Sequence, residues 1–162
     1  MHYLESNAKI SPDGLYRYWL SRRVGMGERT LLVVGTNPSR ADWKLDDPTI
    51  RRCVGFTIAI KFDWLLMGNL QAYRSPDPKV LRDLDDLEAV GPGNQEALNW
   101  MTQRAELIIA AWGSAPLTPY AAKLGEWILS LPHTRCFGVN RDGRPKHPLY
   151  LPKDAKLEKV VP

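Results

Sequence analysis

Residues 31–35 constrain the fold most, because four consecutive apolar residues end abruptly at a glycine. Such a run, with two valines, is typical of a strand buried on both faces in a sheet covered by helices. The next residues, 36–39, have turn chemistry, and Pro38 prevents the strand from continuing. Ligands of open α/β sheets bind outside the carboxyl ends of the strands, so this loop is a candidate binding site. The same residues also suit an ordinary turn.

The rest of the chain predicts further elements of the same class. Asp47 and Pro48 give a strong helix start, and Pro119 begins another helix. Apolar runs that end near Gly or Asn predict buried strands at residues 63–70, 107–113 and 135–139. The alternation of strands and helices predicts a single α/β domain over residues 1–162. It has three layers, with a mainly parallel central sheet flanked by helices.

The two ends of the chain give weaker signals. We expect residues 1–14 to form a loosely ordered arm and residues 152–162 a tail or a short closing element. Residues 15–24 alternate roughly between polar and apolar side chains, which predicts a half-exposed strand or, alternatively, a short helix. A strand here could pair antiparallel with the strand at residues 30–35.

Composition restricts the location of the protein and leaves its partner open. No apolar run approaches the roughly 18 residues of a membrane helix, and no signal-peptide pattern is present, so we expect a cytoplasmic protein without a membrane partner. Cys53 and Cys136 lie in apolar stretches and are predicted to be buried reduced thiols. The net charge of +4 tolerates a nucleic-acid partner, and the basic clusters are typical of solvated faces: Arg17, Arg22 and Arg23; Arg51 and Arg52; Arg141, Arg144 and Lys146.

Polar and aromatic residues follow all four predicted parallel strands, whose carboxyl ends share one edge of the sheet. The amides of Asn37 and Asn69 could read an amide-like edge of a planar base. His147 could donate to an oxygen that gains negative charge. Trp112 and Tyr73 could stack on a ring. Each residue also has a structural alternative, such as a turn cap for Asn69 or a core position for Trp112.

Other common sites are not indicated. The chain has no GxGxxG or Walker loop, so we expect no dinucleotide or ATP cofactor of those types. Ser39 and Ser114 have no His and carboxylate partners at a recognisable spacing. One alternative remains, in which a divalent ion assists an enzyme acting on a small metabolite, with Asp42, Asp46 and Asp47 as its ligands.

Several motifs together resemble one family. The runs at residues 37–42, 46–52, 69–74, 111–113 and 142–150 resemble the family catalogued as domain of unknown function 1643, and residues 16–22 also fit it. The likeness spans roughly residues 15–151. The family name brings no established activity.

A more distant resemblance is to the uracil-DNA glycosylase superfamily. Residues 35–38 are similar to the Gly-Ile-Asn-Pro motif of its mismatch-specific branch, which implies that Asn37 positions water. Residues 66–69 resemble the strand whose Asn reads the pyrimidine, here Asn69. Residues 147–150 resemble the loop whose His, here His147, stabilises the departing base. The catalytic Asp of the most active branch is absent, and the acidic segment 42–47 has no counterpart.

These observations give the leading hypothesis, a glycosylase-like domain that binds a nucleobase or nucleotide and cleaves an N-glycosidic bond. In it, Asn37 and His147 are catalytic. The expected substrate contacts are Gly35, Thr36, Pro38, Ser39, Asn69, Tyr73, Arg74, Trp112 and Gly113. A nucleic-acid partner would meet Arg144 and Lys146 through phosphates and Leu149 or Tyr150 as a wedge. A non-catalytic nucleic-acid-binding module is a further alternative, and the oligomeric state stays open.

Overall fold

The helices begin where the sequence supplies capping chemistry. In the computed structural model, which describes residues 1–160, Asp47 caps the first helix by accepting a hydrogen bond from the Ile50 amide at 2.9 Å. Thr118 caps the last helix in the same way. The α-helices of the described residues are α1 (Pro48–Ala59), α2 (Asp86–Val90), α3 (Asn94–Thr102) and α4 (Pro119–Ser130). Two 3-10 helices cover Pro78–Asp83 and Pro148–Tyr150.

The strands form one seven-stranded mixed sheet in the order β1-β2-β4-β3-β5-β6-β7. The inner four strands, β4, β3, β5 and β6, are parallel, whereas β1, β2 and β7 pair antiparallel at the two edges. The strands are β1 (Glu5–Ile10), β2 (Arg17–Arg23), β3 (Thr30–Gly35), β4 (Trp64–Asn69), β5 (Leu107–Ala110), β6 (Thr134–Cys136) and β7 (Glu158–Lys159). The prediction of parallel strands therefore holds for the four inner strands, whereas the sheet as a whole is mixed.

The sheet is covered by helices on both faces. Leu31 and Val33 of β3 pack in one core cluster with residues of α1. Leu32 and Val34 pack in a second cluster with residues of α2, α3 and α4. Alternate residues of the apolar run thus point to opposite faces, as expected for a strand buried on both sides. Cys53 and Cys136 are both buried and free, one in each cluster.

The sequence-based interpretation of the chain ends was wrong in part. Residues 1–14 do not form a loose arm, because β1 pairs with β2 along its whole length. The predicted tail 152–162 contributes β7 to the sheet edge beside β6, and its residues 161 and 162 lie outside the described residues. No helix in residues 1–160 is long and apolar enough to cross a membrane.

Residues 17–23 form the predicted strand but with a different partner. β3 has parallel neighbours on both sides, so β2 pairs antiparallel with β4 instead. Asp63 holds the connecting loop in place, since its carboxylate accepts hydrogen bonds from the amides of Gly27 and Arg29 at 2.9 and 3.1 Å. The loop can then pass the start of β4 before the chain enters β3.

Candidate functional site

A cleft of about 390 Å³ lies at the carboxyl ends of the parallel strands. Along the chain, β4 follows β3 on one side, and β5 then lies on the other side of β3. The strand order therefore reverses between β3 and β5, which is where ligands bind in open α/β sheets. The cleft is lined from four directions by the ends of β3, β4 and β5, by the start of α1, by residues 75–78 and by residues 147–150.

Asn69 lies at the end of β4 in the cleft. This residue is only 2% exposed, and its side-chain Nδ2 has no hydrogen-bond partner among residues 1–160. Gly35, opposite in the β3–β4 register, makes room for it, because a Cβ there would lie 2.8 Å from Asn69 Oδ1. Buried polar groups are nearly always hydrogen-bonded, so an orphaned amide that lines a cleft indicates a place for a ligand.

His147 lines the cleft from the loop after β6. Gly113 accommodates it, since a Cβ at Gly113 would lie 3.1 Å from His147 Cβ, and the Gly113 φ of +65° also favours glycine. The Gly113 amide donates to Pro145 O at 2.8 Å, which fixes this loop to the end of β5. The close packing of Gly113 against His147 and the hydrogen bond to Pro145 O thus place the imidazole beside the ends of the strands.

Asn37 orders the loop after β3. Its Nδ2 donates to the main-chain oxygens of Pro38, Tyr73 and Ser75, most closely to Ser75 at 2.9 Å. No donor among residues 1–160 forms a hydrogen bond with Asn37 Oδ1. Thr36 connects β3 to β5, because its hydroxyl donates to Trp112 O. An acceptor oxygen is therefore held at the cleft by a fixed loop.

A comparison of the chain with models of known protein families gives a match that covers this cleft. A family model described as Protein of unknown function (DUF1643) matches residues 17–149. The chain belongs to the DUF1643 family. The match extends from the start of β2 to Leu149, so it includes every residue that lines the cleft except Tyr150. No curated protein and no solved structure matches the chain.

The DUF1643 cleft brings together most of the residues that the sequence singled out. Those lining it are Gly35, Thr36, Asn37, Ser39, Asn69, Trp112, Gly113, His147, Leu149 and Tyr150. Trp112 is also a core residue, only 3% exposed, and its stacking on a ligand ring stays a prediction. Pro38, Tyr73, Arg74, Arg144 and Lys146 lie outside the lining of this cleft.

Tyr73, which was predicted to stack on a ligand ring, lies outside the lining of the cleft. Its ring packs edge-on against Tyr16 at a centroid distance of 5.9 Å, because a short bridge between these residues connects the start of β2 to the loop after β4. Arg74 contacts the same region, donating to Gly14 O at 3.2 Å. Both side chains therefore stabilise the junction beside the cleft.

The three aspartates of the metal hypothesis do not converge on a common point. Asp42 Oδ1 accepts from the amides of Lys44 and Leu45, and Asp47 Oδ1 caps α1. Asp46 is paired with Arg22. In the described part of the chain, no group of three or more His, Cys, Asp or Glu side chains is placed to hold a metal ion. These carboxylates act as caps and an ion-pair partner.

Sequence reasoning missed one charged residue of the cleft, Arg17, whereas Asp47, which also lines the cleft, was considered as a metal ligand. Arg17 and Arg22 were expected on a solvated face, but they are 2% and 0% exposed. Arg52 is half-buried as well, because it donates to Pro148 O and Leu151 O. The available signal was that Arg17 lies in an otherwise aromatic stretch, where a long side chain can be covered by a neighbouring loop.

A wider groove of about 790 Å³ lies between α2, α3 and α4. Its lining includes Gly91–Gly93, Tyr120 and Trp127, and no buried polar side chain without a partner among residues 1–160 lies in it. The smaller cleft is the better candidate site because buried polar groups converge there.

The imidazole of His147 is neutral at neutral pH. Burial lowers its pKa below the ordinary value of histidine, and the negative charge of Asp47 opposes this only partly. Nδ1 accepts a hydrogen bond from the Leu149 amide at 3.2 Å, so it carries no proton. The proton is therefore on Nε2, which makes His147 a neutral hydrogen-bond donor in the cleft.

We expect stability to fall on acidification below about pH 6.5, the ordinary pKa of histidine, partly through His147. Its pKa is lower in the folded protein, so the unfolded chain takes up the proton first and is favoured as the pH decreases. His147→Asn removes the titrating group, while the Asn oxygen can still cap the Leu149 amide. Melting temperatures between about pH 8 and about pH 5 should fall less steeply in this variant. Equal slopes would contradict the assignment.

Proposed function

We propose that the cleft binds a nucleobase or nucleotide and that the protein is an N-glycosylase-like hydrolase. The observation that carries the proposal is the buried Asn69 amide, whose Nδ2 has no partner among residues 1–160. An amide offers both a donor and an acceptor, which matches the edge of a base. The cleft volume of about 390 Å³ lies in the range of small-molecule sites.

The expected chemistry is hydrolysis of the bond between a sugar carbon and a base nitrogen. As that bond breaks, the electron pair moves into the base, and His147 Nε2–H donates a hydrogen bond to the oxygen that becomes negative. Water attacks the sugar carbon, guided by a hydrogen bond to Asn37 Oδ1. The water supplies a hydroxyl group to the sugar, and its proton finally neutralises the base.

The positions of the motifs support a glycosylase-like fold. Asn37 follows the first parallel strand, Asn69 ends the second, and His147 lies in the loop after the fourth, which agrees with the resemblance found in the sequence. Tyr150 stands at the rim of the cleft with 87% of its surface exposed, so it is the better placed of the two wedge candidates. Arg144 and Lys146 precede it by six and four residues in the same loop and could meet phosphates.

The first experiment measures DNA binding across a salt series with abasic product detected in the same samples. Fluorescent single and double strands would carry uracil, mismatches or modified pyrimidines. Salt-sensitive binding with abasic product supports the hydrolase. Binding without product supports the non-catalytic module, and no binding near physiological salt would overturn the nucleic-acid proposal.

We expect Asn69→Ala to weaken binding of such a substrate by about 10- to 100-fold, the usual effect of losing a bidentate base contact. The melting temperature should hardly change, because Nδ2 makes no hydrogen bond within residues 1–160 that the variant could lose. Fluorescence anisotropy and thermal denaturation measure the two effects.

Two other asparagines serve as controls. Asn94→Ala should lower the melting temperature, since Asn94 Nδ2 donates to Asn69 O and Leu70 O at 3.0 and 3.2 Å. Asn99→Ala changes an exposed residue of α3 and should alter neither quantity. A loss of stability in Asn69→Ala as large as that in Asn94→Ala would show that Asn69 is structural.

A further inference from the structure

Strand β2 buries two guanidinium groups with very different surroundings. Arg22 is fully paired: its Nε and Nη2 bind Asp46 Oδ1 at 3.0 and 2.9 Å, and its remaining nitrogen donates to Ser21 O. The side chain of Arg17 donates one hydrogen bond, from Nη1 to the main-chain oxygen of Ala41 at 2.8 Å. The two residues therefore do not have the same role.

The Nε edge of Arg17 is left without a partner. Nε is buried and has no hydrogen-bond acceptor in the part of the chain that the structure describes. No carboxylate oxygen of residues 1–160 forms an ion pair with this guanidinium within 4.0 Å. Burial lowers the pKa of Arg17 to about 10, against the opposing effect of Asp47, so the group is still a cation at neutral pH.

Arg17 lines the same cleft as Asn69. A buried charge without a counter-charge destabilises the folded protein. Perturbed ionisable groups in clefts are therefore typical of functional sites, where a ligand supplies the missing partner. The start of α1 also lines the cleft, at Pro48, Thr49 and Ile50. The N-terminus of a helix favours anions, and a guanidinium fork matches phosphate geometry better than any other side chain.

We propose that Arg17 binds a phosphate group of the ligand, which makes the ligand a nucleotide and not a free base or nucleoside. The inference rests on the proposed nucleobase function and adds the part of the ligand that this function leaves undefined. The phosphate belongs either to a free nucleotide or to a nucleic-acid strand. In the absence of ligand, Asp47 is the carboxylate of the lining that offsets the charge of Arg17.

The test compares four probes by titration calorimetry: deoxyuridine, deoxyuridine 5′-monophosphate, inorganic phosphate and a uracil-containing single strand. Arg17→Gln should weaken binding of the phosphate-bearing probes at least about tenfold, as expected for one charge-assisted fork, and leave deoxyuridine binding unchanged. Lys79→Gln, at an exposed position outside the cleft, should change none of them. The proposal is overturned if Arg17→Gln weakens no phosphate-bearing probe.

The probes also separate the two phosphate sources. An effect of Arg17→Gln on the free monophosphate assigns the site to a nucleotide, and an effect on the single strand alone assigns it to nucleic acid. Both results support the proposal. If deoxyuridine does not bind and inorganic phosphate binds only when Arg17 is present, the nucleobase function fails and the phosphate site stands.

A second variant keeps the test valid if Arg17→Gln does not fold. Asp47→Asn retains a good helix cap but removes a negative charge from the cleft. Affinity for the phosphate-bearing probes should rise severalfold, whereas affinity for deoxyuridine should stay the same. A fall in phosphate affinity would mean that the anion does not lie beside Arg17 and would overturn the proposal.

Discussion

Asp46→Ala is expected to lower the free energy of unfolding by about 3 kcal/mol, the usual cost of removing one partner from a buried ion pair. Asp46 Oδ1 accepts two hydrogen bonds from Arg22, whose side chain is completely buried. The Tyr3 hydroxyl donates to Asp46 Oδ2, and burial together with this carboxylate raises the pKa of Tyr3 to about 12. The alanine would leave a guanidinium buried without its counter-charge.

Urea denaturation followed by circular dichroism measures this loss. The matched control is Glu106→Ala, which breaks the pair with Arg29 at 3.3 Å, where both side chains are more than half exposed at 54% and 52%. An exposed pair contributes under about 1 kcal/mol. Equal effects of the two variants would contradict the structural role of Asp46. Stabilisation of the wild type by added Mg²⁺, absent in Asp46→Ala, would restore the metal hypothesis.

His147→Asn is expected to lower the rate of abasic-product formation by about 100- to 1,000-fold, the typical effect of losing one donor to a developing anion. The Asn oxygen can replace Nδ1 as the acceptor from the Leu149 amide, so the loop should keep its conformation. The variant lacks a group at the position of Nε2–H. Substrate binding should change much less than the rate, because the contact forms fully only as the bond breaks.

Single-turnover kinetics with the substrate found in the first experiment measures the rate. His147→Gln serves as the partial replacement, since its amide can reach the Nε2 position, and it should retain more activity than His147→Asn. His133→Asn changes an exposed histidine outside the cleft and should have the wild-type rate. A rate in His147→Asn close to that of the wild type would remove His147 from the proposed mechanism.

The elements themselves were predictable, because their signals are local. Asp47 with Pro48 specifies the start of α1 through one side-chain hydrogen bond and one fixed backbone angle. The apolar run in β3 is buried on both faces, as its four consecutive residues indicated. Asn69 and His147 were predicted to share one cleft because both follow strands of the same parallel set. The structure places both in its lining.

The pairing of β2 and the fate of the chain ends were not predictable in this way. The sequence of residues 15–24 does not indicate that β4 lies between β2 and β3, because strand pairing depends on contacts between distant segments. β1 has mostly exposed side chains and therefore gives a weak pattern, although it is fully paired. Edge strands of this kind are determined by their neighbours.

Sequence alone thus determined the buried strands, the capped helices and the polar residues at the strand ends, since these depend on a few adjacent residues. Only the tertiary structure decided which charges are buried. Arg17 reads as a solvent-facing position of an alternating strand, but the segment after β3 covers it, and Ala41 O accepts its hydrogen bond. Arg22 is likewise enclosed by residues 42–46. Burial of a long side chain depends on what folds over it, and that information lies elsewhere in the chain.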